Sequence, residues 1–198
     1  MASTAGTSLT REAALERLIG DLEVDQAISV GQAVRHYGLG ADDLPGKVVP
    51  IEAFVAATHG GNRYRQVAFV ALSKRLARLS GTSLRHLSGV AEMRRLLGAP
   101  PSSWQRLAAR RRPHRPDALW HSPQGTVAVE YDAGSYSSAQ VTLKLDRLRR
   151  AGYAGQFWGT PSAARRRHLE HLIEARLGQT RPSRWEAPWA SVVYAPWE

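Results

Sequence analysis

Apolar residues recur at helical spacing near the start of the chain. Leu15, Leu18, Ile19 and Leu22 fall on one side of a helix that Thr10 can cap. Val30, Ala33, Val34 and Tyr37 mark a second, short helix, with Ser29 as its cap and Gly38 as its stop. Gly38 to Pro50 reads as a loop. Ile51 to Thr58 is a short apolar segment, predicted as helix rather than strand, and Gly60-Gly61 breaks it. The pattern predicts a longer helix over Asn62–Leu79. It places Phe69, Leu72, Leu76 and Leu79 on one side, Arg63, Lys74 and Arg78 opposite, and Arg75 at the margin. A further amphipathic helix is predicted over Ser83–Leu97. The break at Gly98, Pro100 and Pro101 follows it.

Beyond Pro113 the period changes. Ala118 to His121 reads as a strand, Pro123-Gln124-Gly125 as a turn, and Thr126 to Tyr131 as a β-branched, alternating strand. A helix over Ser137–Ala151, a strand over Gln156–Gly159, a helix from Thr160 or Ser162 to Leu177 and a strand over Ala190–Tyr194 complete the order ββαβαβ. The expected fold is α+β or α/β. A helical region over residues 1–99, open to a helix-turn-helix or a small bundle, precedes an α/β domain with a mixed sheet over residues 100–198. Trp185, Trp189 and Trp197 are expected to pack on that sheet rather than stack on bases.

Charge sharpens this division. The net charge is +10, but residues 1–60 carry −4, residues 61–115 carry +12 and residues 116–198 carry +2. A basic middle segment beside an acidic start is the footprint of phosphate contacts, whereas an arginine-rich genome would raise arginine throughout. The candidate nucleic-acid-binding residues are Arg63, Lys74, Arg75, Arg78, Arg106, Arg110, Arg111, Arg112 and Arg115. Cysteine is absent, which excludes disulfides and thiolate metal sites. The seven histidines show no zinc-ligand spacing. No run of about 18 apolar residues suggests a membrane span, and the N-terminus lacks a signal-peptide pattern, so a cytoplasmic location is expected.

The candidate chemistry lies between Arg115 and Lys144. Asp117 precedes the first strand, Glu130 ends the second, and a hairpin turn would bring the two carboxylates side by side. Two carboxylates on adjacent strands are the minimal oxygen cage for Mg²⁺, the hard cation that phosphodiester hydrolysis uses. Asp132, two residues on, is a third candidate ligand if the strand persists. Lys144 lies at the edge of the apolar face formed by Val141, Leu145 and Leu148, where it could stabilise a transition state or simply snorkel to water.

Arg115-Pro116-Asp117, Val129-Glu130-Tyr131-Asp132 and the helix with Lys144 resemble the PD-(D/E)xK nuclease superfamily. More narrowly they resemble the replication-relaxation proteins of plasmids and mobile elements, which join a winged-helix DNA-binding domain to a restriction-endonuclease-like fold. The resemblance covers about residues 113–178. It implies Asp117, Glu130 and Lys144 as catalytic residues, Asp117 and Glu130 as metal ligands with Asp132 as an extra candidate from strand alternation, and Mg²⁺ or Mn²⁺ as cofactor. It implies double-stranded DNA as partner, with a homodimer as one arrangement. The family pattern has lysine two residues after the acid, where this chain has Asp132, so the lysine's role would fall to Lys144. Three functions stay open on the sequence: a metal-dependent DNA endonuclease, a non-catalytic DNA-binding replication or regulatory protein, and a basic RNA-binding protein.

Overall fold

The computed structural model describes residues 10–56, 63–107, 115–178 and 189–198. Its five helices are α1 (Arg11–Asp25), α2 (Val30–Tyr37), α3 (Gly81–Leu96), α4 (Ser138–Arg150) and α5 (Ala163–Leu177). Its eight strands are β1 (Ala27–Ser29), β2 (Val49–Ala56), β3 (Tyr64–Ala71), β4 (Trp104–Arg106), β5 (Ala118–Ser122), β6 (Gly125–Tyr131), β7 (Gly155–Thr160) and β8 (Trp189–Tyr194). They form a three-stranded antiparallel sheet, β1-β3-β2, and a five-stranded mixed sheet, β4-β5-β6-β7-β8. Among the described residues no helix is long and apolar enough to cross a membrane.

Two predicted helices are strands. Residues 49–56 pair with residues 64–71 as an antiparallel hairpin. Ile51 and Val55 are buried while Glu52 and Phe54 are exposed, which is the period of two that a half-buried strand requires. Residues 64–71 are rich in β-branched and aromatic side chains, and Phe69 and Val70 enter the core from opposite faces. Only Lys74–Arg78 is helical, as one 3₁₀ turn, so the long cationic helix face expected over Asn62–Leu79 does not form. After the break at Gly98–Pro101 the chain forms the short strand β4. The helix caps are legible. Thr10, Ser29, Ser137 and Ser162 each accept a first-turn backbone N–H, and Gly38 and Gly178 end α2 and α5 in the left-handed conformation.

In the five-stranded sheet, β5 and β6 make the expected hairpin, with Ser122 opposite Gly125. The chain then crosses through α4 to β7 and through α5 to β8, and both pairings are parallel. Both helices cover one face, where Val141, Leu145, Leu148, Leu169 and Ile173 meet Ala128 and Trp158. Each such buried aliphatic side chain contributes about 1.5–3 kcal/mol. Helix α3 covers the other face and also packs on the three-stranded sheet, so one core joins Phe69 and Leu84 to Tyr131 and Phe157.

The fit of α3 is close. A Cβ on Gly89 would lie 2.1 Å from the Tyr131 ring, and one on Gly159 would lie 1.9 Å from the Met93 sulfur. Tyr131 also donates to the Ala195 carbonyl at 3.2 Å. Beyond β8 the chain returns to the first sheet. There Trp197 stacks on Phe69 with centroids 5.9 Å apart, and Ser29 Oγ donates to the Trp197 carbonyl at 2.6 Å. Trp197 therefore packs as expected, but against the smaller sheet. Trp185 and the side chain of Trp189 lie outside the described residues.

Candidate active site at the end of the β5–β6 hairpin

The hairpin register decides where the acids meet. Ala118 pairs with Val129, and the ladder continues one residue further: the Asp117 N–H donates to the Val129 carbonyl at 2.9 Å. Asp117 and Glu130 thus stand side by side at one sheet end. Val127, Val129 and Tyr131 face α3, so Glu130 faces α4 by strand alternation. Lys144 reaches it from the second turn of α4 and forms an ion pair with Glu130. The Lys144 ammonium also donates to the Tyr136 hydroxyl at 2.9 Å and lies 4.7 Å from that ring's centroid. Asp117, Glu130 and Lys144 are therefore brought together, as expected.

The two carboxylates are unlike. One Asp117 oxygen accepts the Tyr131 N–H at 2.8 Å, and the other faces His86 Nε2 at 3.1 Å. Burial opposes the charge on Asp117, but His86, Lys144 and the Tyr131 N–H outweigh it and hold the carboxyl below the usual range. Glu130 is fully buried; its Oε1 accepts no N–H, and its carboxyl lies against that of Asp117. Burial, then the neighbouring charge of Asp117, pushes Glu130 well above the usual range, against the pull of Lys144. Burial alone would lower the Lys144 pKa, but Glu130 and Asp117 raise it, so the ammonium stays charged. Burial and the same two carboxylates push the Tyr136 hydroxyl up to about 12. The two acids are thus driven apart, Asp117 toward its charged form and Glu130 toward its neutral one.

Asp132 does not join them. The strand ends at Tyr131, and the chain turns so that one Asp132 oxygen accepts the N–H groups of Gly134 and Ser135 at 2.8 and 3.0 Å. The other accepts from Arg165 Nε at 2.7 Å. Asp132 is fully buried and fixes the loop that carries Tyr136, so its oxygens are committed away from Glu130. Among the described residues no three His, Cys, Asp or Glu side chains are grouped to hold one metal ion. Glu130 Oε1, beside Asp117, nevertheless fits a hard divalent cation that takes two carboxylates and completes its shell with water.

A cleft of about 930 Å³ opens on the far side of His86 from the acids, and neither Asp117, Glu130 nor Lys144 lines it. His86 and Arg106 line it, as do Arg75 and Arg78 of the 3₁₀ turn, over a floor that includes Leu22, Leu76 and Leu87. Arg75, Arg78 and Arg106 from the expected basic set thus meet in one place, with Arg85 added. Arg63, Lys74 and Arg115 are exposed but do not line the cleft. Arg110, Arg111 and Arg112 lie outside the described residues.

His86 is the residue that sequence reasoning missed. It sits on α3, far from Asp117 in the chain, and only the docking of α3 on the sheet brings the two together. No local motif marks it. Compared with known proteins, the chain matches no family model, no curated protein and no solved structure.

Proposed function

We propose that this chain is a DNA-binding protein with a PD-(D/E)xK-like phosphodiesterase site, acting in plasmid or mobile-element replication or DNA processing. The observation that carries the reading is the meeting of Asp117, Glu130 and Lys144 around a buried carboxylate oxygen that accepts no N–H. A Mg²⁺ or Mn²⁺ ion would be held by Asp117 and Glu130, and when bound it supplies water activation and charge neutralisation. Lys144 holds positive charge where the leaving oxygen becomes anionic, and Tyr136 and Glu130 orient its ammonium. His86 keeps Asp117 ionised in the free protein. The arginines of the cleft neutralise backbone phosphates and set the register of the strand on the protein. The winged-helix reading of the first half draws support from its strand order, β1-β3-β2, with α1 and α2 beside it.

A second reading has its own observation. Lys144 already neutralises Glu130, and the described residues offer no third acidic ligand. On that reading the protein binds DNA without cutting it. Incubating supercoiled plasmid with saturating protein and either metal separates the two. The nuclease reading expects cleavage that falls at least about 100-fold in Asp117→Ala and Glu130→Ala. Binding with no cleavage in either metal selects the second reading. Cleavage that survives both substitutions removes this site.

A further inference from the structure

We propose a second, anion-binding site at the carboxyl ends of β6, β7 and β8, which takes one phosphate of a nucleic-acid strand. A cavity of about 510 Å³ lies there, bounded by Ala133 and Gly134 after β6, Pro161 and Ser162 after β7, and Tyr194 of β8. The carboxyl end of a parallel sheet is where open α/β sheets bind ligands. Arg65, Arg85 and Arg165 line the cavity with one acid, Glu198; Arg165 is paired with the buried Asp132, so Arg65 and Arg85 carry the excess positive charge. Ser162 caps α5 there, and the first turn of that 15-residue helix carries no acidic residue, so its free N–H groups add to the positive potential.

The sharpest mark is Arg85. It is 4% exposed, yet its Nε is buried without a hydrogen-bond partner, while one terminal nitrogen donates to the Ala56 carbonyl at 3.1 Å. A buried guanidinium with an unused donor needs an acceptor, and a phosphate oxygen is the acceptor that its charge selects. In the free protein a carboxylate holds part of the site, because Glu198 pairs with Arg65. An incoming phosphate would displace it. Tyr194 is 47% exposed at the rim and offers a ring on which an adjacent base can stack. Arg85 and Ala133 line both this cavity and the cleft that His86 lines, so the two adjoin. The assignment to a nucleic-acid phosphate rests on the DNA-binding reading above; the anion site does not.

The test uses the full chain and two probes, inorganic phosphate by titration calorimetry and a short labelled single-stranded oligonucleotide by anisotropy. Arg85 is buried, so Arg65 and Glu198 carry the comparison. Phosphate is expected to bind wild type, about tenfold more weakly to Arg65→Gln, and about twofold to fivefold more tightly to Glu198→Gln. Arg150→Gln, an exposed charge on α4, is expected to leave it unchanged. Tyr194→Ala is expected to weaken the oligonucleotide about fivefold or more and leave phosphate alone. No phosphate binding by wild type, or equal losses in Arg65→Gln and Arg150→Gln, overturns the site. Phosphate binding with the expected order but no oligonucleotide binding keeps the site and overturns its nucleic-acid ligand.

Discussion

Two buried charge clusters in this protein use the same kinds of side chain and reach opposite ends. At the α1–α3 contact, Asp21 and Asp25 face Arg94 and Arg95. Arg94 holds Asp25 with two bonds at 2.9 and 2.7 Å and reaches Asp21 at 2.6 Å. Tyr37 donates to the remaining Asp21 oxygen, so every carboxylate oxygen has a partner and two acids balance two arginines. At the hairpin end, two acids share one lysine, a histidine covers one flank, and a Glu130 oxygen accepts no N–H. The first cluster is closed and fastens one helix to another. The second is unfinished, and its histidine borders a cleft. A buried carboxylate with only part of its charge and hydrogen bonding met is costly for folding, as the closed cluster is not.

The contrast predicts a ranked set of stability changes, all readable by urea or thermal unfolding. The largest is Arg94→Ala, which leaves two carboxylates buried without a cation and is expected to cost about 3–5 kcal/mol. Replacing the other cluster's pair, as Glu130→Gln with Lys144→Met, is expected to cost nothing or to stabilise. A loss in the double variant as large as that of Arg94→Ala would erase the distinction between the clusters. Next comes metal: Mg²⁺ at about one hundred times its dissociation constant should raise stability by about 2.7 kcal/mol. The rise should vanish with Asp117→Asn plus Glu130→Gln and survive changes at Asp21. Binding should also release a proton from Glu130, seen as a buffer-dependent heat in calorimetry.

A smaller effect concerns pH. The Glu130 carboxyl is raised above its unfolded value of 4.5, so the folded state keeps a proton that the unfolded chain loses. Its contribution to stability therefore falls as pH rises above 4.5. The lowered Asp117 group contributes above its unfolded value of 3.8 and loses that only as pH falls through its folded value. The raised Lys144 contributes below its unfolded value of 10.5, so both are constant near neutrality. From about pH 5 to about pH 7, wild type should lose about 1 kcal/mol relative to the Glu130→Gln, Lys144→Met variant. A flat difference would place the proton elsewhere. The smallest change is His86→Gln, at about 0.5 kcal/mol, because that ion pair is more than a third exposed on its histidine side.

The second half of the fold was legible because its signals are local. A β-branched alternating run, a two-residue turn and three capped helix ends fix β5, β6, α4 and α5, and the hairpin register alone puts Asp117 beside Glu130. The hairpin of β2 and β3 was misread because Phe69, Leu72, Leu76 and Leu79 happen to repeat at helical spacing. Phe69 belongs to a strand, while Leu76 belongs to the turn after it. Pairing across the hairpin, with Ile51 opposite Phe69, overrides that coincidence. In the site, Asp132 looked like a ligand because alternation was carried one residue past the strand's end. Its partner Arg165 and the neighbour of Asp117, His86, are both contacts between distant segments, which no spacing encodes.

The contact of Gly89 with Tyr131 also governs the site at a distance. His86 lies three residues before Gly89 on α3, and Tyr131 donates its N–H to Asp117. The depth to which the helix sinks toward the strand is thus also the gap between the imidazole and the carboxylate. A single methyl at position 89 would lift the helix off the ring and stretch that gap, detuning the acid without touching any group that ionises. The spacing of His86 and Asp117 is thus set by a hydrogen atom.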